Sequence, residues 1–203
     1  MDPISGAAVV NRGARGNTTA STRPRCSASL ADVRRHTIAV CGASRANGPL
    51  IMVAERLGAE IFAAGFDLVC GGLGGVMEAA ARGYALARGD RPGVVVGILP
   101  GADGRAASRY CDVVVPTGIG FARNVLVVLA GDGVVLCGGG TGTLSEAALA
   151  WQHGRPLCAL RTSGGWAEQL AGRTLDDRRA DRVEAFDDPA AAVEHLRRAI
   201  LGR

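Results

Sequence analysis

From residue 37 onward, short apolar runs alternate with longer segments of helical periodicity, and this alternation constrains the fold more than any other feature. Seven runs of four to six residues are apolar on both faces, as buried strands are: Thr37–Cys41, Asp67–Cys70, Val94–Leu99, Asp112–Val115, Gly133–Leu136, Leu157–Leu160 and Val183–Phe186. Six segments have helical periodicity: Pro49–Ala64, Gly75–Ala87, Phe121–Ala130, Thr143–His153, Gly165–Leu170 and Pro189–Leu201. Such strands separated by helices are typical of parallel sheets with crossover helices. The sequence therefore predicts an α/β fold, a three-layer, doubly wound, mostly parallel Rossmann-like sheet of about seven strands.

The first 35 residues differ from the rest of the chain in composition and charge. They are rich in Gly, Ser, Thr, Asn and Arg, lack apolar periodicity, and contain six arginines against two aspartates, which accounts for the net charge of +4. Residues 36–203 contain 17 arginines and 17 acidic residues and are therefore neutral. This contrast predicts a flexible basic tail over residues 1–35 and a single Rossmann-like nucleotide- or phosphate-binding domain over residues 36–203.

Charge and hydropathy argue against two classes of partner. A nucleic-acid interface concentrates basic residues on the folded domain, and the neutral charge of residues 36–203 gives no sign of one, so we expect no nucleic-acid partner. No apolar run approaches the roughly 20 residues that a membrane span needs, so we expect no membrane partner either.

The cysteine and lysine content limits the chemistry and the compartment. Cysteines 41, 70, 137 and 158 lie at or beside the ends of apolar runs, and the six cysteines form neither a C-x-x-C pair nor a metal-ligand spacing. We therefore predict small buried thiols, a reducing cytoplasmic location and no metal site. The sequence contains no lysine, which excludes a decarboxylase that holds pyridoxal phosphate as a Schiff base on lysine.

Three of the predicted strands end in glycine-containing turns that lead toward helices, at the sheet edge where doubly wound proteins bind ligands. The first turn is Cys41–Ser44, the second is Cys70–Gly75 and the third is Cys137–Thr143. Glycine lets a bulky anion approach the backbone, and a helix N-terminus behind the turn supplies free N–H groups and a positive dipole. We therefore predict that these turns bind the phosphate of a small molecule. The candidate residues in them are Gly42, Ser44, Gly71, Gly72, Gly74, Gly139, Gly140, Thr141, Gly142 and Thr143.

Two charged residues near these turns are candidates for chemistry. Glu146 follows Thr143 by three residues, which suits a helix capping box. A carboxylate beside a phosphate would, however, repel the ligand unless it meets a sugar hydroxyl or a glycosidic centre. Arg123 is predicted in the first turn of a helix, where a cation opposes the dipole, so an anion or carboxylate partner explains it better. The segment before Arg123 adds two binding candidates, Thr117 and Gly118.

Two common nucleotide-binding signatures are missing from these turns. No Gly-Lys-Ser/Thr follows the third turn, as a Walker A loop requires, and no turn has G-x-G-x-x-G with an acidic residue at the end of the next strand. The sequence therefore disfavours a P-loop nucleotide hydrolase and a dinucleotide-dependent dehydrogenase.

Three motifs together resemble the LOG-like Rossmann superfamily: VCGGLGGVME at Val69–Glu78, PTGIGFARN at Pro116–Asn124 and GGGTGTLSE at Gly138–Glu146. The resemblance covers about residues 36–201, and the most similar branch is that of the molybdenum-cofactor carrier proteins. Other members are cytokinin riboside 5′-monophosphate phosphoribohydrolases, which cleave a nucleoside monophosphate to the free base and ribose 5-phosphate. The resemblance also implies a homodimer or a homotetramer.

The resemblance implies two alternative functions for the same residues. It identifies Arg123 and Glu146 with the arginine and the glutamate of the hydrolase signature, whose second motif is P-G-G-x-G-T-x-x-E. Gly138 replaces the motif proline and Asn124 replaces the usual lysine after the arginine, and both departures match the carrier-like branch. It therefore implies a protein that binds molybdenum cofactor (molybdopterin) or an AMP-like nucleotide and requires no further cofactor. The alternative is N-glycosidic hydrolysis, with Arg123 keeping Glu146 ionised for an electrostatic role.

Overall fold

The computed structural model describes residues 35–202, which lie in one compact unit. The strands are β1 (Thr37–Gly42), β2 (Asp67–Cys70), β3 (Val95–Leu99), β4 (Val113–Pro116), β5 (Gly133–Cys137), β6 (Leu157–Leu160) and β7 (Glu184–Phe186). The α-helices are α1 (Gly48–Ala63), α2 (Val76–Arg88), α3 (Asn124–Ala130), α4 (Thr141–Gln152), α5 (Gly165–Leu170) and α6 (Pro189–Leu201). The tail predicted over residues 1–35 lies outside the described residues, apart from Arg35.

All strand pairs are parallel, and the strands lie in the order β4-β3-β2-β1-β5-β6-β7. The chain builds outward from β1 to β4, returns to the other side of β1 with β5, and then builds outward again to β7. The order therefore reverses between β1 and β5, and the carboxyl ends of these two strands form the switch point where such sheets bind ligands. The predicted fold class, with seven strands, is confirmed.

Helices cover both faces of the sheet and give the molecule three layers. One buried apolar cluster joins α1, α2 and α6 to the sheet and includes Leu57, Tyr84 and Leu196. The cluster on the other face joins α3, α4 and α5 to the sheet and includes Val128 and Trp151. Burial of each large apolar side chain contributes about 1.5–3 kcal/mol, so these clusters hold the strand ends in place. No helix within residues 35–202 has the length and apolarity to cross a membrane.

Helix α4 begins earlier than predicted, and the predicted capping box is therefore wrong. The helix begins at Thr141, with Gly140 as the N-cap in an extended conformation (φ −105°, ψ −152°). The carbonyl of Gly140 accepts the first helical hydrogen bond from the N–H of Leu144 at 3.1 Å. Thr143 is consequently the third residue of the helix, where its side chain cannot cap the N-terminus.

Strand β4 was predicted to be buried on both faces, and this prediction is wrong. Val113 and Val115 are 46% and 40% exposed, although they lie in register with Val96 and Ile98 of the interior strand β3. The reason is topological, because β4 is the edge strand and α3, the nearest helix on that face, packs on β1 and β2. Within residues 35–202, no helix covers this apolar part of the sheet.

Candidate functional site

A pocket of about 550 Å³ lies at the carboxyl edge of the sheet, at the switch point between β1 and β5. It is lined by Gly42, Ser44, Leu73, Met77, Pro100, Gly120, Phe121, Arg123, Asn124, Gly140, Thr141, Gly142, Thr143 and Glu146. Eight of these were predicted from the sequence as binding or catalytic residues: Gly42, Ser44, Arg123, Gly140, Thr141, Gly142, Thr143 and Glu146. The fold thus brings residues from distant parts of the sequence to one edge of the sheet.

The turn from β5 into α4 has a shape that only glycine accommodates easily. Gly138 and Gly139 have φ values of 63° and 100°, in the left-handed region that side chains disfavour. A Cβ atom at Gly139 would also collide with the side chain of Thr143. A Cβ atom at Gly140 or Gly142 would have no other heavy atom within 4 Å, so the space beside these two residues is open. Gly139 therefore shapes the turn, while Gly140 and Gly142 face the pocket.

The N-terminus of α4 presents backbone donors to this pocket. The N–H groups of the first three helical residues, Thr141, Gly142 and Thr143, precede the first helical hydrogen bond. The N-cap residue, Gly140, supplies no side chain to accept from them. Such donors at the positive end of a helix dipole suit a phosphate or another anion.

Asn124 holds the N-terminus of α4 in place. From the sequence it was noted only as a departure from the hydrolase motif. The residue is 3% exposed, and its amide Nδ2 donates to Ser145 Oγ at 2.7 Å. Ser145 Oγ in turn donates to the carbonyl of Gly142 at 2.7 Å. The position of Asn124, directly after Arg123 in the motif, was the available signal for this role.

A buried ion pair forms the floor of the pocket. The side chains of Arg123 and Glu146 are each 8% exposed, and Nη1 of Arg123 lies 3.5 Å from Oε1 of Glu146. At this distance the hydrogen bond is weak. Nε of Arg123 has no hydrogen-bond partner within the described residues. Because Arg123 lines the pocket, its guanidinium places a positive charge beside any anionic group bound there.

The protonation of Glu146 differs from the sequence-based expectation. Burial raises the pKa of Glu146 to about 7, although the charge of Arg123 and a hydrogen bond with the thiol of Cys41 lower it. Desolvation therefore outweighs the ion pair, and the expectation that Arg123 keeps Glu146 ionised at neutral pH is wrong. Near pH 7 both forms of Glu146 are populated, which suits a group that gives and takes a proton.

The second glycine turn supports the pocket from behind. A Cβ atom at Gly71 would lie 2.5 Å from Nη1 of Arg123 and 2.6 Å from the Met77 sulfur, so the absence of a side chain gives both groups their place. Gly72 has a φ of 70° and packs on β3, and its carbonyl accepts from the N–H of Ser108 at 2.8 Å. Gly71, Gly72 and Gly74 do not line the pocket, and direct contact with a ligand stays a prediction for them.

Three further candidates also lie outside the pocket lining. The hydroxyl of Thr117 donates to the carbonyl of Leu99 at 2.7 Å, which ties the end of β4 to the end of β3. Gly118 has a φ of 69° and forms part of the same turn. The third is Gly139, which packs against the side chain of Thr143. These residues shape the loops of the site, and their contact with a ligand also stays a prediction.

Six lining residues were not among the predicted site residues: Leu73, Met77, Pro100, Gly120, Phe121 and Asn124. Most of them are apolar, and Phe121 is 83% exposed although it is aromatic. Together they give the pocket an apolar side, in contrast to the polar N–H groups at the N-terminus of α4. Gly120 and Phe121 belong to the motif that ends in Arg123 and Asn124, and this position in the sequence could have indicated that they line the pocket.

The described residues offer no evident metal centre. Within residues 35–202, no group of three or more His, Cys, Asp or Glu side chains is arranged to hold a metal ion. The polar groups of the pocket are instead backbone N–H donors, one guanidinium, one carboxyl, one amide and the hydroxyls of Ser44, Thr141 and Thr143.

Comparisons with known proteins agree with this geometry. A family model described as the SLOG cluster4 family matches residues 35–193. An uncharacterized protein of Archaeoglobus fulgidus is 40% identical over 124 residues, which are 61% of this chain and 79% of that protein.

Two solved structures share the fold at substantial identity. The molybdenum cofactor binding protein of the phototrophic bacterium Rippkaea orientalis is 32% identical, with a TM-score of 0.71, and the match covers 82% of this chain and 98% of that one. The molybdenum cofactor carrier protein of Chlamydomonas reinhardtii is 30% identical, with a TM-score of 0.71, and the match covers 84% of this chain and 100% of that one. These matches confirm the resemblance that the three sequence motifs indicated.

Proposed function

The chain belongs to the SLOG cluster4 family, and from that premise we propose that it binds a phosphorylated, nucleotide-like small molecule without transforming it, as a molybdenum-cofactor carrier does. One observation above all supports the proposal: a single pocket joins a free helix N-terminus to an apolar wall. A ligand with a phosphate at one end and a flat ring system at the other matches these two halves.

The phosphate is placed at the N-terminus of α4. Its oxygens accept from the N–H groups of Thr141, Gly142 and Thr143, and the open space beside Gly140 leaves room for them. Arg123 supplies a second positive charge from the floor of the pocket. Bonds between an anion and such donors are roughly twice as strong as neutral hydrogen bonds.

The ring system is placed on the apolar side of the pocket. Leu73, Met77 and Phe121 line that side, and flat rings bind well to apolar and aromatic side chains. The volume of about 550 Å³ lies in the usual range for small-molecule sites. Molybdopterin and AMP both have this combination of a phosphate and a ring, and the two carrier-related structures favour molybdopterin.

The proposal predicts that affinity depends on the phosphate of the ligand. We expect AMP to bind about tenfold to a hundredfold more tightly than adenosine, because each hydrogen bond to a charged group contributes about 1.5–3 kcal/mol. Isothermal titration calorimetry with the two compounds, and with a pterin phosphate and its dephosphorylated form, measures the difference. Equal affinity for the members of each pair would contradict the proposal.

A phosphoribohydrolase is the second candidate, and the protonation of Glu146 favours it. With a pKa of about 7, a buried carboxyl beside a phosphate site has the property of a general acid or base at neutral pH. Arg123 would then position Glu146 against the glycosidic bond of a nucleoside monophosphate.

Release of free base from AMP distinguishes the two candidates. If the chain is a hydrolase, Glu146→Ala should lower the rate about a hundredfold or more, because it removes the proton-transfer group, and Arg123→Ala should also lower it, because Glu146 loses the group that positions it. Glu78→Ala is the matched control, because Glu78 lies in the first turn of α2 and does not line the pocket. Chromatography follows the base. AMP that binds but releases no base would reject the hydrolase and leave the carrier.

We also propose that the chain forms a homodimer or a homotetramer through the uncovered part of the sheet. Val113 and Val115 on β4 and Leu126 and Leu129 on α3 are each 40% or more exposed. Exposed apolar groups of this kind on one face are typical of an interface between subunits.

Light scattering during size exclusion tests this proposal. The unmodified chain is expected at twice or four times the monomer mass of 20.7 kDa, and Val115→Arg at the monomer mass. Met52→Arg is the matched control, since Met52 is 69% exposed on α1, which packs on the opposite face. A monomeric unmodified chain would contradict the proposal.

The proposed location is the cytoplasm. Cys41, Cys70, Cys137 and Cys158 are buried free thiols, as predicted, and such thiols are typical of proteins from a reducing compartment. Fractionation of cells that places the chain outside the cytoplasm would reject this location.

A further inference from the structure

Two cysteines that the proposed function does not use lie in contact behind the pocket. Cys70 is buried at the end of β2 and pairs in register with Gly97 of β3. Gly97 has no side chain, and the sulfur of Cys111 lies 2.7 Å from the position that a Cβ of Gly97 would occupy. Cys111, which is half-buried, thereby lies beside Cys70 on the same face of the sheet.

The contact makes the two thiols chemically unequal. The neighbouring thiol of Cys70 lowers the pKa of Cys111, against the opposing effects of burial and of the nearby Asp112 and Glu78. The neighbouring thiol of Cys111 and complete burial raise the pKa of Cys70. Cys111 is therefore the thiol that ionises first, and it is also the more accessible of the two.

The cysteine pair is connected to the pocket through the second glycine turn. Cys70 directly precedes Gly71, whose backbone lies against the guanidinium of Arg123. The segment that carries Cys111 is tied to the same turn by the hydrogen bond from Ser108 N–H to the carbonyl of Gly72. A displacement of Cys70 toward Cys111 would therefore move the backbone against which Arg123 rests.

We propose that Cys70 and Cys111 form a reversible disulfide in the presence of a hydroperoxide, and that this bond weakens ligand binding by displacing Gly71 from Arg123. The effect on binding rests on the proposed function, whereas formation of the bond does not. The Cys111 thiolate attacks the peroxide, the O–O bond breaks, and an alcohol or water leaves with Cys111 as a sulfenic acid. The sulfur of Cys70 then attacks Cys111, the S–S bond forms and water leaves, so two thiols are oxidised as one peroxide is reduced. A dithiol reverses the step by exchange.

Peptide mass mapping of the full chain after treatment with hydrogen peroxide tests the bond. We expect a linked pair of peptides containing Cys70 and Cys111, loss of two of the five free thiols in the described residues from alkylation, and recovery of both after dithiothreitol. Cys111→Ser should abolish the link, and Cys158→Ser should leave it, because Cys158 is buried on β6. If Cys111→Ser folds poorly, the peptide mapping of the unmodified chain still decides whether the disulfide between Cys70 and Cys111 forms. Cys70 that stays alkylatable while Cys111 is oxidised to a sulfinic acid or linked elsewhere would overturn the proposal.

Titration of AMP into the reduced and the oxidised chain tests the effect on the pocket. We expect severalfold weaker binding after oxidation and full recovery after dithiothreitol. Unchanged affinity in chain that is fully linked would overturn the regulatory part of the proposal. Failure of every phosphorylated ligand to bind the reduced chain would instead contradict the proposed function, and the peptide mapping would still decide whether the bond forms.

Discussion

Replacing Gly140 by aspartate is expected to weaken binding of AMP or a pterin phosphate about a hundredfold while the fold is retained. Aspartate is among the best N-cap residues, and Gly140 already has an extended conformation with open space for a side chain. The new carboxylate accepts from the N–H groups at the start of α4 and repels the phosphate. Each hydrogen bond to a charged group that the ligand loses costs about 1.5–3 kcal/mol.

The matched control for this change is Gly140→Asn. Asparagine caps a helix as well as aspartate does and has nearly the same shape, but it lacks the negative charge. We expect Gly140→Asn to bind more tightly than Gly140→Asp, with both variants at least as resistant to heat as the unmodified chain. Calorimetric titration and a thermal melt measure these two properties. Binding to Gly140→Asp at the unmodified affinity would show that the phosphate lies elsewhere.

The second large effect concerns the pH dependence of stability, which Glu146 should dominate in one pH range. The unfolded chain ionises this glutamate near the ordinary pKa of 4.5, whereas the folded chain does so at a pKa of about 7. Between these values the folded chain binds more protons, so its free energy of unfolding falls as the pH rises. The stabilising contribution of Glu146 to the free energy of unfolding is about 3 kcal/mol. It is fully present below pH 4.5 and is lost as the pH rises through 7.

Glu146→Gln removes this titration without changing the size of the side chain. We expect the free energy of unfolding of the unmodified chain, minus that of Glu146→Gln, to fall by about 3 kcal/mol between pH 4.5 and pH 8. All other ionisable groups are common to both chains and cancel in the difference. Urea unfolding at several pH values measures it. A difference that rises with pH would mean that the ion pair with Arg123 outweighs burial.

The strands and the turns were accessible to sequence analysis because their signals are local. An apolar run followed by glycine, as at Cys137–Gly138, indicates a buried strand and a turn without reference to the rest of the chain. The spacing from Thr141 to Glu146 likewise keeps these residues within the first turns of one helix, whatever packs around them. For the same reason eight of the predicted site residues, which lie at strand ends and helix starts, line one pocket, and their contact with a ligand stays a prediction.

The features that were wrong or missing depend on contacts between distant segments. The protonation of Glu146 follows from burial among β1, α3 and α4, and no local pattern measures burial. The close contact between Gly71 and Arg123 joins residues from two different turns. The exposure of Val113 depends on the place of β4 at the sheet edge, which strand composition alone does not reveal.

A crystal structure with bound AMP or pterin phosphate would show where the phosphate lies, and the proposed function depends on that position. We predict phosphate oxygens about 3 Å from the backbone nitrogens of Thr141, Gly142 and Thr143, with the ring beside Phe121. A phosphate held by the second glycine turn, at Gly71–Gly75, or one outside this pocket would contradict it.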